Sequence, residues 1–147
     1  MGVITLPASG QVYLDANPII YTVEKHPIYG PLLQPLWAAA QANTFEVITS
    51  ELAILECFVG PLKRNDAALL IDYEAALFGT EMRLLPITQS VLRDGAQLRA
   101  TTNLKTPDAI HAATSLQAGC ALFVTNDRRF RSVAGLAVVV LDDLRTP

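Results

Sequence analysis

Cys120–Ala121–Leu122–Phe123–Val124–Thr125–Asn126–Asp127 is a short apolar run that stops at a turn and a carboxylate, and Gln11–Val12–Tyr13–Leu14–Asp15 repeats that pattern near the start of the chain. Both are nearly continuous apolar runs, so each predicts a strand covered on both faces. Phe45–Glu46–Val47–Ile48–Thr49 predicts a further strand and Ala137–Leu141 a final one. Arg83–Ile87 predicts a weak strand, because Pro86 interrupts it.

The intervening segments read as helices. Asn17–Pro18 opens one, proline being well placed in a first helical turn. From Pro31 to about residue 43, Leu32, Leu33, Leu36, Trp37 and Ala40 share a side. Ser50 is placed to cap a helix over Glu51–Val59, with Gly60–Pro61 as its end. Asn65 or Asp66 caps a helix to Phe78, and Gly79 stops it. Thr88–Ala100 is helical in pattern despite Gly95. Thr106–Pro107–Asp108 combines a hydroxyl cap, a proline at the first position and an acid in the first turn, and that helix runs to Ala118 before Gly119. Strands alternating with helices give an α/β sandwich with a mainly parallel sheet, as one domain over residues 1–147. Functional groups in such sheets gather beyond the carboxyl ends of strands, where Asp15 and Asp127 stand.

With 51% hydrophobic and 17% charged residues the chain has the composition of a folded domain and not of a disordered one. Cys57 and Cys120 are far apart in apolar settings with no C-x-x-C, which excludes a disulfide framework or zinc ribbon and predicts two buried free thiols in a reducing cytosol. Residues 1–10 lack the pattern of a signal peptide, and no apolar run approaches the length of a membrane span. A cytoplasmic protein is expected. The net charge of −3 argues against a nucleic-acid partner unless several carboxylates share a metal site, where bound cations reverse the local sign.

Four acids stand in apolar company: Asp15 after Val12–Tyr13–Leu14, Glu56 inside Leu52–Ala53–Ile54–Leu55–Glu56–Cys57–Phe58, Asp108 at the head of an alanine-rich helix, and Asp127 after Leu122–Phe123–Val124–Thr125–Asn126. Unpaired carboxylates near a core are costly, so convergence of the four demands raised pKa values or a bound cation. An oxygen-rich set without cysteine suits Mg²⁺ or Mn²⁺ better than Zn²⁺. Each acid also has a plainer reading. Asp15 fits a helix cap, Asp108 a helix-dipole acid, Asp127 an Asx turn, and Glu56 a salt bridge to an arginine.

Val12–Tyr13–Leu14–Asp15–Ala16–Asn17, Thr49–Ser50–Glu51–Leu52–Ala53–Ile54–Leu55–Glu56, Leu104–Lys105–Thr106–Pro107–Asp108–Ala109–Ile110–His111–Ala112–Ala113–Thr114 and Leu122–Phe123–Val124–Thr125–Asn126–Asp127–Arg128–Arg129–Phe130 resemble, in order, the four motifs of PIN domains, specifically of VapC toxins. The resemblance spans roughly residues 11 to 142, and the last two motifs together are its most specific part. It implies a three-layer α/β/α sandwich and a metal-dependent endoribonuclease toxin of a type II toxin–antitoxin pair. It also implies a VapB-like antitoxin partner and a toxin homodimer. Asp15, Glu56, Asp108 and Asp127 are the implied catalytic and Mg²⁺- or Mn²⁺-binding acids, with Glu51 a competitor for the second. Thr125 and Asn17 are implied to orient water or phosphate.

Arg128, Arg129 and Arg131 follow Asp127 as candidate RNA-phosphate contacts or a solvated basic turn, with Lys63, Arg64 and Lys105 weaker candidates. His111, one turn after Asp108, reads as a structural or supporting histidine. The four tyrosines show no stacking-platform pattern. Two other functions compete. An aspartate-dependent phosphatase fits Asp15 after a strand but wants a second acid where Asn17 stands. A catalytically silent PIN-like binding module sits poorly with four retained acids.

Overall fold

Val12, Tyr13 and Leu14 have no exposed surface, because strand β1 (Gln11–Leu14) is paired on both edges and covered on both faces. On one edge it pairs with β2 (Glu46–Ser50), and on the other with β4 (Leu122–Thr125) in the register Val12–Leu122, Tyr13–Phe123, Leu14–Val124. β3 (Arg83–Leu85) and β5 (Val138–Val140) close the edges, giving the order β3-β2-β1-β4-β5 with every pairing parallel. Pro86 falls just outside β3, and only three residues of that run join the ladder. The computed structural model describes residues 2–145.

Six helices among the described residues cover the sheet: α1 (Ala16–Val23), α2 (Tyr29–Gln41), α3 (Leu52–Lys63), α4 (Ala67–Phe78), α5 (Gln89–Thr101) and α6 (Thr106–Ala118). Alternation along the strands sorts the core into two layers. Val12, Leu14, Val47, Leu122 and Val124 pack with Ile19, Leu33, Leu36, Ala53, Tyr73 and Leu77 from α1 to α4. Tyr13, Ile48 and Phe123 pack on the opposite side with Ala109 and Ala112 of α6 and with Phe130. This is the expected α/β/α sandwich.

Several local readings need correction. α3 continues through Gly60–Pro61 to Lys63. Pro61 sits in its last turn, where one lost hydrogen bond is tolerable, and Asn65 stops the helix by turning left-handed at φ 51°. α2 starts at Tyr29 and holds Pro35 inside, on an exposed face where the freed carbonyl is open to water. Thr106 is not the cap of α6. Lys105 holds that position, while the Thr106 hydroxyl accepts from Arg99 Nη1 at 2.9 Å. Asp66 and Thr88 do cap their helices, accepting from Leu69 N and Val91 N, whereas Ser50 is not the N-cap of α3: Glu51 holds that position without a side-chain bond, and Ser50 Oγ accepts from Leu52 N one residue further out. Gly119 ends α6 at φ 68°, the conformation that favours glycine.

Cys57 is buried, and burial pushes its thiol up to about 12, whereas Cys120 is only half-buried; both are free. No helix among the described residues is long and apolar enough to cross a membrane.

Gly95 faces α6 across the α5–α6 contact. A Cβ there would meet Ala109 atoms at 3.7 to 3.9 Å, which is ordinary contact. Gly95→Ala should therefore be accepted and should raise unfolding free energy by about 0.5–1 kcal/mol, through lower unfolded-chain entropy and better helix propensity. Denaturant titration of the variant checks it, and a lower midpoint would show that α5 and α6 have no room to spare.

Candidate functional site

The strand order reverses between β1 and β4. From β1 the chain moves outward through β2 to β3, then returns to β4 on β1's other edge. The carboxyl ends of β1 and β4 therefore border the topological switch point of the sheet, the place where open α/β sheets bind ligands. Asp15 and Asp127 flank it.

Asp15 is 6% exposed. It occupies the N-cap position of α1, yet its carboxylate makes no cap hydrogen bond. Its Oδ2 accepts from Thr125 Oγ1 at 2.6 Å, and Oδ1 is buried without a hydrogen-bond partner. The helix-cap reading of Asp15 thus fails. Burial pushes its carboxyl up to about 7; Glu56 and Asp108 add to the rise, while His111 and Thr125 oppose it. Thr125 also accepts from Asp127 N at 3.1 Å, so one buried hydroxyl ties the two strand ends together.

Asp127 does form the Asx turn that its position predicts, its Oδ1 accepting from Arg129 N at 2.9 Å. The Arg129 guanidinium then folds back onto Asp127 Oδ2 at 2.5 Å and onto Asp108 Oδ2 at 3.1 Å. Hydrogen bonding from Arg129 holds Asp127 below the usual carboxylate range. Asp108, in the first turn of α6, is raised by burial against the pull of Arg129, and the charge of Asp127 adds to the rise.

Glu56 points from α3 to a histidine and not to an arginine. His111 Nε2 lies 2.6 Å from Glu56 Oε1, and His111 Nδ1 lies 2.6 Å from Tyr13 Oη. Glu51, the competitor for the second acid position, is exposed at the N-cap of α3. Asn17 is exposed on the first turn of α1. Arg128 turns away to Asp142 at 3.2 Å and Asp143 at 2.8 Å, and Arg131 pairs with Asp143. Only Arg129 of the three arginines touches the acids. Arg64 is held by Glu24.

Two residues escaped the reading of the sequence. Tyr13 was legible in principle: a phenol in a strand buried on both faces must find a polar partner. Asn126 was not singled out. It accepts from Asp142 N and donates to Tyr21 Oη, pinning the turn between Thr125 and Asp127 to α1 and to the Leu141–Leu144 turn.

The signature of the PIN domain matches residues 12–136. The chain belongs to the PIN domain family. Solved structures share the fold at low identity. A VapBC pair of Rickettsia felis, solved with a promoter DNA fragment, matches at TM-score 0.69 and 18% identity over 88% of this chain and 98% of that one. A VapC toxin of Mycobacterium tuberculosis, described as cleaving the sarcin–ricin loop, matches at 0.72 and 17% over 88% and 98%. DNA-bound VapBC of Salmonella typhimurium matches at 0.63 and 17% over 89% and 98%. No curated protein matches.

Among the described residues, no three His, Cys, Asp or Glu side chains are drawn together as a metal-binding group. In this PIN domain three of the four acids meet a nitrogen-bearing side chain, Glu56 that of His111 and Asp108 and Asp127 that of Arg129, while Asp15 accepts from Thr125. The donor chemistry nevertheless fits a hard divalent cation. All four acids offer oxygen, and the unpartnered Oδ1 of Asp15 lacks the proton donor or cation that a buried carboxylate oxygen needs.

Proposed function

We propose that this PIN domain is a metal-dependent endoribonuclease of the VapC type, the toxin of a type II toxin–antitoxin pair. The observation that carries the reading is Asp15, a buried carboxylate at the switch point with one oxygen unpartnered and a carboxyl raised to about 7. Asp15, Glu56, Asp108 and Asp127 would hold Mg²⁺ or Mn²⁺, which when bound supplies Lewis acidity and an acidified water for phosphodiester hydrolysis. The protein's own part is positioning. Thr125 fixes Asp15, Asn126 fixes the turn that carries Asp127, and Arg129 offers a guanidinium to a backbone phosphate once the acids release it. Asn17, two residues after Asp15 and exposed on the first turn of α1, would face water or phosphate. Arg128 and Arg131 are spoken for by Asp142 and Asp143, so their share in RNA binding is the smaller.

RNA as substrate is supported by the Mycobacterium tuberculosis toxin of the same fold, described as cleaving the sarcin–ricin loop. A VapB-like antitoxin is supported by relatives solved as VapBC pairs. A partnered surface, including a homodimer, is supported by Leu55, Val59 and Leu62, exposed along one side of α3. The reading includes a cytoplasmic location, where such RNA lies.

Purified protein should cut cellular RNA into discrete fragments with Mn²⁺ and should stop in EDTA. Phosphate release from a small phosphoester instead would mark a phosphatase. Metal and RNA binding without cleavage would mark a binding module.

Arg129→Ala gives a separate expectation. RNA affinity should fall and its log–log salt slope should shrink by about one phosphate. Mn²⁺ affinity should rise severalfold, because Asp108 and Asp127 lose a competing cation. An unchanged salt slope would remove Arg129 from the RNA contact.

A further inference from the structure

We infer that Tyr13 and His111 are positioning residues that set the Glu56 carboxylate for metal binding through a hydrogen-bonded Tyr13–His111–Glu56 chain. This rests on the nuclease reading but concerns two side chains that carry no acid. The chain crosses three elements. Tyr13 lies on β1 two residues before Asp15, His111 on α6 three residues after Asp108, and Glu56 on α3. It therefore cross-braces the three elements that carry the first three acids.

The geometry is tight at both joints. Tyr13 Oη to His111 Nδ1 and His111 Nε2 to Glu56 Oε1 are each 2.6 Å. Tyr13 is fully buried and His111 is 1% exposed, so neither ring has water as an alternative partner. Tyr13 is itself held by stacking on Phe123, with centroids 5.1 Å apart and planes 5° apart, and meets His111 edge-on. An ionised carboxylate only accepts hydrogen bonds, so Nε2 carries the proton that faces Glu56. In the neutral ring this leaves Nδ1 to accept from the Tyr13 hydroxyl, which fixes the tautomer.

Glu56 needs such a brace. Its side chain is 25% exposed on a helix whose neighbours are apolar, and no lysine or arginine pairs with it among the described residues. A histidine that donates to one carboxylate oxygen leaves the other free to ligate. It also removes rotamers that would swing the group into solvent. Groups that orient a metal ligand in this way typically change metal affinity or activity by about 10–100-fold when removed.

The test uses full-length His111→Leu, His111→Gln and Tyr13→Phe proteins beside wild type. Each is first shown to be folded by circular dichroism and thermal melting in EDTA. Mn²⁺ affinity is then measured by calorimetry without RNA, and cleavage separately. His111→Leu should weaken Mn²⁺ binding at least about tenfold. Gln can still donate an amide proton to Glu56 and should recover a large part of that loss. Tyr13→Phe keeps the ring and loses only the hydroxyl, and should weaken Mn²⁺ by roughly threefold to tenfold. Wild-type Mn²⁺ affinity in folded His111→Leu, or a Gln variant no better than Leu, would overturn the inference. So would Tyr13→Phe matching wild type. If wild type itself neither binds Mn²⁺ nor cuts RNA, the nuclease reading has failed rather than the brace.

Discussion

Asp15→Asn and Asp108→Asn should each slow RNA cleavage by at least about two orders of magnitude, the scale lost when a charge-stabilising group leaves an active site. The two variants should fail differently. Asp15 is the buried acid with an unpartnered oxygen, so its replacement removes the deepest of the proposed ligands and should nearly abolish Mn²⁺ binding. Asp108 is partly exposed and shares Arg129 with Asp127, so Asp108→Asn should keep measurable Mn²⁺ affinity while losing turnover. Single-turnover cleavage of a defined RNA beside Mn²⁺ calorimetry separates the two. Near-wild-type cleavage by either folded variant would take that acid out of the site.

In the absence of metal, wild-type stability should decline as pH rises from about 4 to about 7. The sign follows from Asp15, whose carboxyl is pushed up to about 7 from an ordinary 3.8. Between those values the unfolded chain has released the proton while the folded protein keeps it, so folding binds a proton and raising pH opposes it. Above pH 7 the folded protein carries an ionised, half-partnered carboxylate in its core. A carboxyl raised that far carries a penalty on the order of 4 kcal/mol once ionised. Asp127 and Asp142 are shifted downward, so their linkage operates below about pH 4 and lies outside this window. For the same reason Asp15→Asn should stabilise the protein in EDTA at pH 8, by about 1–3 kcal/mol once the unpartnered amide is allowed for. That gain should vanish near pH 4, and Mn²⁺ should restore the wild type but not the variant. Urea titrations across pH with EDTA or Mn²⁺ decide it. A wild-type stability that stays flat between pH 5 and pH 8 would show that Asp15 finds a partner in solution.

Both predictions turn on a residue whose importance the sequence only half disclosed. Asp15 could be seen to end an apolar strand, and helix capping explained it equally well. The carboxylate's turn to Thr125, with Oδ1 left over, separates those readings. Arg128, Arg129 and Arg131 formed one basic cluster in sequence. A 3-10 turn splays them, sending Arg129 onto Asp127 and Asp108 and the other two onto Asp142 and Asp143. Turn geometry and, Asp127 apart, acids 12 to 21 residues away decide that split, and neither is visible locally.

The sequence by itself determined the parallel α/β architecture, through apolar periodicity and short-range spacing that act within a few residues along the chain, and its motifs carry the resemblance to the PIN domain family that residues 12–136 match. It also determined some helix ends, through Asp66, Thr88, Gly79 and Gly119. Only the tertiary structure decided which groups partner the acids. Tyr13 and His111 are 98 residues apart, His111 and Glu56 55, and Asp15 and Thr125 110. Such contacts depend on strand order and on which face of β1 each side chain takes. Burial then makes them matter, because a carboxylate removed from water takes its character from whichever proton donor or cation the fold sets beside it.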